Sequence, residues 1–165
     1  MSSEVLDIVD EHDNVVGTIV RGESGSDVAP RRIVHVFVFD DKGRLLLQKR
    51  SQTVKFKPGA WATAACGHVL SGESYDQAAI REMKEEIGVA VKPAFFSRDK
   101  FNEEGFGFRF LGSFKLVHNG PFTVDPEEVD RVEYFTLAEI EELIKKEDFH
   151  PETVYLLRRH FLPKA

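Results

Sequence analysis

The sequence predicts an α+β protein in which helices pack on both faces of a mixed β-sheet, an α/β/α sandwich. Runs of β-branched and aromatic residues separated by hairpin turns predict most of the sheet. Three amphipathic helical segments occur without the regular strand–helix alternation of a parallel sheet, which favours a mixed sheet. The length of 165 residues and the lack of internal repeats indicate a single domain over residues 1–165.

Strands and tight turns make up the first part of the chain. Five segments have the residue pattern of strands: residues 5–9, 15–20, 33–39, 44–48 and 61–66. A polar turn joins the first two segments, and the turn Asp40–Gly43 joins the next two, so each pair is expected to form a hairpin. The first hairpin belongs to an N-terminal extension of residues 1–30.

Capping signals mark the helices. The first helix is predicted over residues 74–87, between a capping box that begins at Ser74 and a terminating Gly88. Two further helices are expected after the capping box at Thr136 and from Pro151 to about residue 160. Three strands are expected between the first and second helices: residues 95–101, 106–117 and 132–135.

Three glutamates lie close together on the first predicted helix. Glu82, Glu85 and Glu86 share an arc of about 100°, while Met83 and Ile87 lie on nearly the opposite side. Packing against the sheet explains the apolar side but not the acidic one. Like charges at this spacing repel, and a hard divalent cation would reverse the repulsion. A solvated acidic helix face is the alternative interpretation.

The surrounding residues favour the metal interpretation. Nine positions between residues 67 and 89 form one pattern: Gly67, Glu73, Arg81, Glu82, Met83, Glu85, Glu86, Gly88 and Val89. Their spacing resembles the Nudix box, Gly-x5-Glu-x7-Arg-Glu-U-x-Glu-Glu-x-Gly-U with U apolar, at every specified position. The flanking strands and the C-terminal acidic loop and helix also resemble this family, so the likeness covers most of the chain.

This resemblance implies a Nudix-type sandwich and an enzyme that hydrolyses a nucleoside diphosphate derivative or a related organic diphosphate. It implies bound Mg²⁺, for which Mn²⁺ can substitute. By position in the family pattern, the metal ligands would be Glu82, Glu85 and Glu86, assisted by the Gly67 carbonyl. Glu85 and Glu86 are therefore also the expected catalytic residues.

The resemblance assigns structural roles to other motif residues. Glu73 and Arg81 would pair and shape the loop, and Gly88 would end the helix. Family members often recruit another glutamate from a loop after the sheet. Glu128 best matches that position and is the expected additional ligand or base, with Glu127 as its substitute. Helix capping or plain surface charge is the alternative role for this pair.

Charge is distributed unevenly along the chain. The whole sequence carries −6, yet residues 30–60 contain eight Lys and Arg against two Asp, a net +6, so the remainder carries −12. This basic segment could clamp diphosphate oxygens. Arg50, Lys55 and Lys57 are the candidates, with a solvated surface as the alternative for each. Trp61 could stack on a base, and core packing is its alternative role.

The segment Pro58–His68 also resembles type I isopentenyl-diphosphate isomerase, a Nudix-fold enzyme. There, Cys-Gly-His supplies a catalytic cysteine and a metal-binding histidine, and Cys66 and His68 stand at those positions. Ser24 and Arg31 stand where two further histidine ligands are expected. Because the hydrolase motif is complete, we interpret Cys66 as a buried apolar residue and His68 as a loop or substrate-side residue.

Composition limits the function class. The acidic balance disfavours general nucleic-acid or membrane binding, and no apolar run approaches the roughly 20 residues of a membrane span. One cysteine and an N-terminus without a signal-peptide core lead us to expect a cytoplasmic protein. The expected partner is a small-molecule diphosphate, and the sequence allows a homodimer. The isomerase and a non-catalytic nucleotide-binding module are the alternatives to a hydrolase.

Overall fold

The computed structural model describes residues 4–163. The strands are Val5–Val9 (β1), Val15–Val20 (β2), Arg31–Phe39 (β3), Leu45–Arg50 (β4), Trp61–Thr63 (β5), Ala65–His68 (β6), Ala94–Glu103 (β7), Gly107–Val117 (β8) and Val129–Phe135 (β9). The helices are Tyr75–Ile87 (α1), Leu137–Lys146 (α2) and Pro151–His160 (α3). Within these residues, no helix has the length and apolar character needed to span a membrane.

A seven-stranded mixed sheet forms the centre of the fold. β3 runs parallel to β8, and β8 pairs antiparallel with β7. On its other edge, β3 pairs antiparallel with β6 and, at Phe39, with β4. β4 in turn pairs antiparallel with β5 and β9. The parallel β3–β8 pair requires a long crossover connection, and α1 lies within it.

Two apolar clusters lie on opposite faces of this sheet. The cluster beneath α1 includes Val34, Val36, Met83 and Ile87. The cluster beneath α2 and α3 includes Ile33, Phe37, Ile140 and Leu156. Because successive side chains of a strand point to opposite faces, β3 contributes to both clusters. The predicted α+β class and α/β/α sandwich are therefore confirmed.

One predicted strand is two strands. The expected strand at 61–66 is interrupted at Ala64 because β5 pairs with β4, whereas β6 crosses over and pairs with β3. In the second pairing, Gly67 lies opposite Val34 and His68 lies opposite Ile33. The pairing of β6 with β3 therefore places Gly67, the first residue of the motif, at the centre of the sheet.

The β1–β2 hairpin forms a separate two-stranded sheet that contacts the loop before α1. Asp7 accepts hydrogen bonds from Ser71 Oγ at 2.8 Å and from Gly72 N at 3.3 Å. In the hairpin turn, Asp13 accepts a hydrogen bond from the Tyr75 hydroxyl at 2.8 Å. The hairpin is thereby anchored to both the motif loop and the first turn of α1.

Helix α1 begins and ends where the sequence predicts. The Ser74 side chain accepts from Gln77 N, and the Gln77 side chain accepts from Ser74 N, which completes the capping box. Gly88 ends the helix with a φ of 72°, in the left-handed region. The loop after β8 contacts this end, where Thr123 N donates to Ile87 O at 3.0 Å.

Gly88→Ala is expected to destabilise the protein by more than backbone strain alone. A left-handed φ costs a residue with a side chain about 1–2 kcal/mol, and a Cβ at Gly88 would also lie 2.9 Å from Thr123 O. Gly72→Ala is the matched control, since Gly72 has a φ of 85° but no heavy atom within 4 Å of its Cβ position. Urea unfolding measures both variants. Equal losses of unfolding free energy would contradict the expected contact with Thr123.

Candidate active site

Two of the three motif glutamates are buried beside β6. Glu82 and Glu86, one turn apart on α1, are 8% and 7% exposed. Glu86 Oε1 accepts hydrogen bonds from Gln48 Nε2 at 2.8 Å and from the Cys66 backbone N–H at 3.1 Å. Burial, followed by the charge of Glu82, raises the pKa of Glu86 well above its ordinary value. Burial also raises the pKa of Glu82. These carboxylates form the acidic centre of the site.

Gly67 provides the space that the Glu82 carboxylate occupies. A Cβ at Gly67 would lie 2.3 Å from Glu82 Cδ and 2.4 and 2.6 Å from its two carboxylate oxygens. A side chain at this position would therefore displace the carboxylate. Glycine is required at this position because the β6 backbone lies directly against the Glu82 carboxylate.

Arg81 connects the parts of the motif. Its Nε and Nη2 donate to the two carboxylate oxygens of Glu73 at 2.7 and 2.9 Å, and Nη2 also donates to His68 O at 2.9 Å. Its Nη1 donates to Glu82 Oε1 at 2.7 Å and to Glu85 Oε2 at 3.3 Å. The hydrogen bond to Glu73 is the largest cause that raises the pKa of Arg81. One guanidinium thus joins the loop, β6 and α1.

Glu85 differs from the other two glutamates of the motif. Glu82 and Glu86 continue the buried stripe that begins at Ala78 and Ala79, whereas the Glu85 side chain is 58% exposed. Among the described residues, no three His, Cys, Asp or Glu side chains are grouped to hold a metal ion. The expected three-glutamate ligand set is therefore not assembled in this conformation. The buried pair and Gly67 do fit Mg²⁺, which commonly binds one or two carboxylates together with substrate phosphates and water.

The loop that carries Glu127 and Glu128 is attached to the site through its backbone. Asp125 N donates to Glu86 O at 3.2 Å, and Ser51 N donates to Glu128 O at 3.0 Å. Both glutamate side chains are exposed. The loop therefore joins the end of α1 to the residue that follows β4, and it presents two carboxylates to solvent there.

The three basic residues that were predicted to bind diphosphate oxygens have different partners in the structure. Arg50 is partly buried and donates from Nε to Phe56 O at 3.0 Å. Lys57 forms an ion pair with Asp148 at 3.0 Å. Lys55 is exposed and has no ion-pair partner among residues 4–163. Arg50 and Lys55 thus retain charge that an anion could use, whereas the charge of Lys57 is already paired.

Trp61 lies in the core instead of at a binding surface. Its side chain is 2% exposed and packs edge-to-face against Phe135, with 5.2 Å between the ring centroids. Lys49 Nζ and the Arg131 guanidinium lie 4.9 and 5.4 Å from the ring centroid. This burial corrects the expectation that Trp61 stacks on a base and agrees with its alternative role in core packing.

Cys66 and His68 flank Gly67. The Cys66 side chain is buried, and the His68 side chain is hydrogen-bonded within the protein. Burial raises the pKa of the Cys66 thiol well above its ordinary value. His68 Nε2 accepts a hydrogen bond from Arg31 Nε at 3.0 Å. Burial, followed by the charges of Arg21 and Arg31, lowers the pKa of His68 to about 3, so the imidazole is neutral. A metal ion at Nε2 would have to displace the Arg31 guanidinium.

A buried charged network under α3 was missed by sequence reasoning. Glu152, in the first turn of α3, accepts from Arg109 Nε at 2.6 Å and is bonded to His35 Nε2 at 2.9 Å. Arg109 Nη2 also donates to Glu103 at 2.7 Å. Burial would raise the pKa of Glu152, but the hydrogen bond to His35 and the charges of His150, His35 and Arg109 lower it. The network joins α3 to β3 and β8.

Comparisons with known proteins establish the family. A sequence model of the NUDIX domain matches residues 29–158. The chain belongs to the Nudix family. An uncharacterized Nudix hydrolase of Yersinia pestis is 35% identical over 155 residues, which cover 93% of this chain and 84% of the relative. The family model and the named hydrolase relatives identify this Nudix protein as a hydrolase.

The similarity also extends to an isomerase. An isopentenyl-diphosphate Delta-isomerase of Aromatoleum aromaticum is 34% identical over 161 residues, which cover 93% of this chain and 81% of the relative. A crystal structure of a Deinococcus radiodurans protein matches with a TM-score of 0.79 at 24% identity, covering 96% of this chain and 100% of that chain. The latter match supports the fold.

Proposed function

We propose that this Nudix protein is a Mg²⁺-dependent hydrolase that cleaves the diphosphate linkage of a nucleoside diphosphate derivative or a related organic diphosphate in the cytoplasm. The observation that carries the proposal is the buried pair of Glu82 and Glu86 against Gly67. Two adjacent buried carboxylates repel each other when both are ionised, so the pair is unfavourable as a purely structural feature. A divalent cation would turn this repulsion into binding energy.

Glu82 and Glu86, together with the Gly67 carbonyl, would hold Mg²⁺ or Mn²⁺. The exposed Glu85 is the third proposed ligand. When bound, the metal would neutralise diphosphate oxygens and polarise a phosphorus centre. Gln48 Nε2 holds the Glu86 carboxylate in place through a hydrogen bond of 2.8 Å. These protein contacts orient the acidic pair before any ligand enters.

The remaining proposed roles belong to residues near the end of β4. Glu128 is the proposed general base or additional ligand, and Glu127 is its substitute. Arg50 and Lys55 are the proposed contacts to diphosphate oxygens, because neither has an ion-pair partner among the described residues. Ser51 follows Arg50 directly and binds the Glu128 backbone. This contact keeps the basic segment and the acidic loop together.

Isopentenyl-diphosphate isomerisation is the second candidate, because a 34% identical relative has that name and the Cys66-Gly67-His68 segment resembles the Cys-Gly-His motif of type I isomerases. One contact and one pKa shift argue against this activity. Arg31 donates to His68 Nε2, so a metal ion at this nitrogen would have to displace the guanidinium. Burial raises the pKa of the Cys66 thiol, which disfavours its reactive thiolate. Hydrolysis is therefore the activity that we favour.

A substrate screen with Mg²⁺ tests the proposed function. The panel contains nucleoside diphosphate derivatives and isopentenyl diphosphate, and the products are identified by mass spectrometry. The expected result is cleavage at a diphosphate bond of at least one compound, abolished by EDTA. Conversion of isopentenyl diphosphate to its allylic isomer without cleavage would establish the isomerase instead. Binding without any turnover would indicate a non-catalytic nucleotide-binding module.

Gly67→Ala is expected to lower kcat for the substrate found in that screen by about 100-fold, because small displacements of catalytic groups have effects of this size. The new Cβ would collide with the Glu82 carboxylate. Gly17→Ala, on β2, is the matched control, since its Cβ would meet only Ile8 Cδ1 at 3.9 Å. Unchanged kcat in Gly67→Ala would show that the position of Glu82 is not critical.

Cys66→Ala is expected to leave kcat for hydrolysis within about twofold of wild type, because a buried unpaired cysteine acts mainly as a small apolar residue. Steady-state hydrolysis and isopentenyl diphosphate conversion are measured on the same preparations. Loss of turnover in a variant that still folds would show that the thiol takes part in the reaction, and it would favour the isomerase.

A further inference from the structure

Arg31 is a cation that is held in place without a carboxylate partner. Its Nε donates to His68 Nε2 at 3.0 Å, and its Nη1 donates to the carbonyl oxygens of Asp27 and Ala29, each at 3.1 Å. These acceptors are neutral. Within residues 4–163, Arg31 forms no ion pair, and its Nη2 donates to no acceptor. Two N–H groups of an oriented guanidinium therefore remain unused.

Three other partly or fully buried arginines have the carboxylate contact that Arg31 lacks. Arg32 and Arg81 each contact a carboxylate oxygen at 2.7 Å, and Arg109 contacts one at 2.6 Å. Burial, followed by the charge of Arg109, lowers the pKa of Arg31, while Glu152 and Asp27 act in the opposite direction. The Arg31 guanidinium is thus partly desolvated and lacks the direct counter-charge that these three arginines have.

Arg31 lies next to the proposed metal site. The residue that it contacts, His68, directly follows Gly67, whose backbone approaches the Glu82 carboxylate. Successive strand residues face opposite sides of a sheet, so Arg31 and Glu82 approach this short segment of β6 from opposite sides. The end of β6 is therefore all that separates the Arg31 guanidinium from Glu82 of the proposed metal-binding pair.

We propose that Arg31 forms an anion-binding subsite that receives a phosphate group of the substrate other than the diphosphate held at Glu82 and Glu86. The subsite deepens the proposed function and rests on it for the identity of the ligand. It names the substrate class as a diphosphate compound with a further phosphate group. A guanidinium with two free N–H donors suits such a group, whereas an apolar isoprenoid tail would leave the partly buried cation without a counter-charge.

Binding is tested first without turnover. The Nε–Hε resonances of the arginines are followed by NMR while inorganic phosphate is added in the presence of EDTA. A saturable shift of the Arg31 resonance is expected, with little change at Arg44, which is paired with Asp40. An Arg31 resonance that does not move at millimolar phosphate would overturn the subsite. Because this titration involves no metal and no hydrolysis, its failure is distinguishable from failure of the proposed function.

Kinetics then test the subsite in catalysis. Two substrates that differ only in a further phosphate group are compared in wild type, Arg31→Lys, Arg31→Gln and the control Arg44→Gln. Arg31→Gln is expected to raise KM for the longer substrate by about ten- to a hundredfold, the effect of losing a charge-assisted hydrogen bond. Arg31→Lys is expected to restore part of the loss. An equal rise for both substrates would show a structural role and overturn the proposal.

Discussion

Glu86→Gln is expected to lower kcat for diphosphate hydrolysis by about 100- to 10,000-fold. The amide preserves the size of the side chain and its carbonyl acceptor, so the hydrogen bonds from Gln48 and the Cys66 backbone can persist. It removes the negative charge that a divalent cation would bind. Steady-state hydrolysis at saturating Mg²⁺ measures the effect, and urea unfolding of the same protein verifies the fold.

Two further variants sharpen this prediction. Glu85→Gln tests whether the exposed glutamate joins Glu86 during the reaction, as the family pattern implies. Glu142→Gln, an exposed position on α2, is the control and should retain wild-type kcat. Because burial disfavours the ionised Glu86 carboxylate, metal-free Glu86→Gln should be no less stable than wild type at neutral pH. Wild-type kcat in Glu86→Gln would contradict the proposed role of the buried pair.

Glu152→Gln is expected to destabilise the protein by about 3–5 kcal/mol, the typical effect of breaking a buried ion pair. The substitution gives Arg109 Nε a neutral partner, leaves Glu103 as the remaining carboxylate partner of this guanidinium, and weakens the contact with His35. Urea unfolding at neutral pH measures the loss. Glu142→Gln is again the control, since its exposed pair with Lys145 is worth less than about 0.5 kcal/mol.

The loss in Glu152→Gln should depend on pH. The folded protein lowers the pKa of Glu152, so the carboxylate contributes its full stabilisation above the ordinary value of about 4.3 and loses it progressively as the pH falls below that value. The difference between wild type and variant should therefore shrink from neutral pH towards acidic pH. A difference that grows on acidification would contradict this account of the network.

Local signals predicted the elements of the fold well. The capping box at Ser74 and the left-handed Gly88 set both ends of α1, because each acts within one helical turn. The strand at 61–66 was predicted less well, because its interruption at Ala64 arises from pairing with two different strands. Register between distant strands has no local signature in this segment.

The motif spacing predicted that three glutamates lie on one arc of α1, but it did not predict the environment of each glutamate. An arc of about 100° places Glu82, Glu85 and Glu86 together, yet the structure buries two and exposes one. The boundary is set by how α1 sits on the sheet. Trp61 illustrates the same point, since its burial depends on Phe135 and on helices that follow much later in the chain.

The charged residues outside the motif could not be found from spacing at all. Arg109 and Glu152 are 43 residues apart, and His35 and Glu152 are 117 apart. Arg31 and His68 are separated by 37 residues. These contacts exist only because β3 lies between β6 and β8 with α3 packed on one face. The motif therefore predicted the acidic half of the proposed site, whereas the buried charges beside it have no local sequence pattern.

Product analysis in ¹⁸O-labelled water tests whether this protein hydrolyses a diphosphate bond. The wild-type protein is incubated with Mg²⁺ and the compound that reacts fastest in the substrate screen. The masses of the products are measured by mass spectrometry. We expect cleavage at the diphosphate, with one label in one of the two phosphate-containing products, and no reaction in EDTA. Turnover that leaves every diphosphate intact and incorporates no label would contradict it.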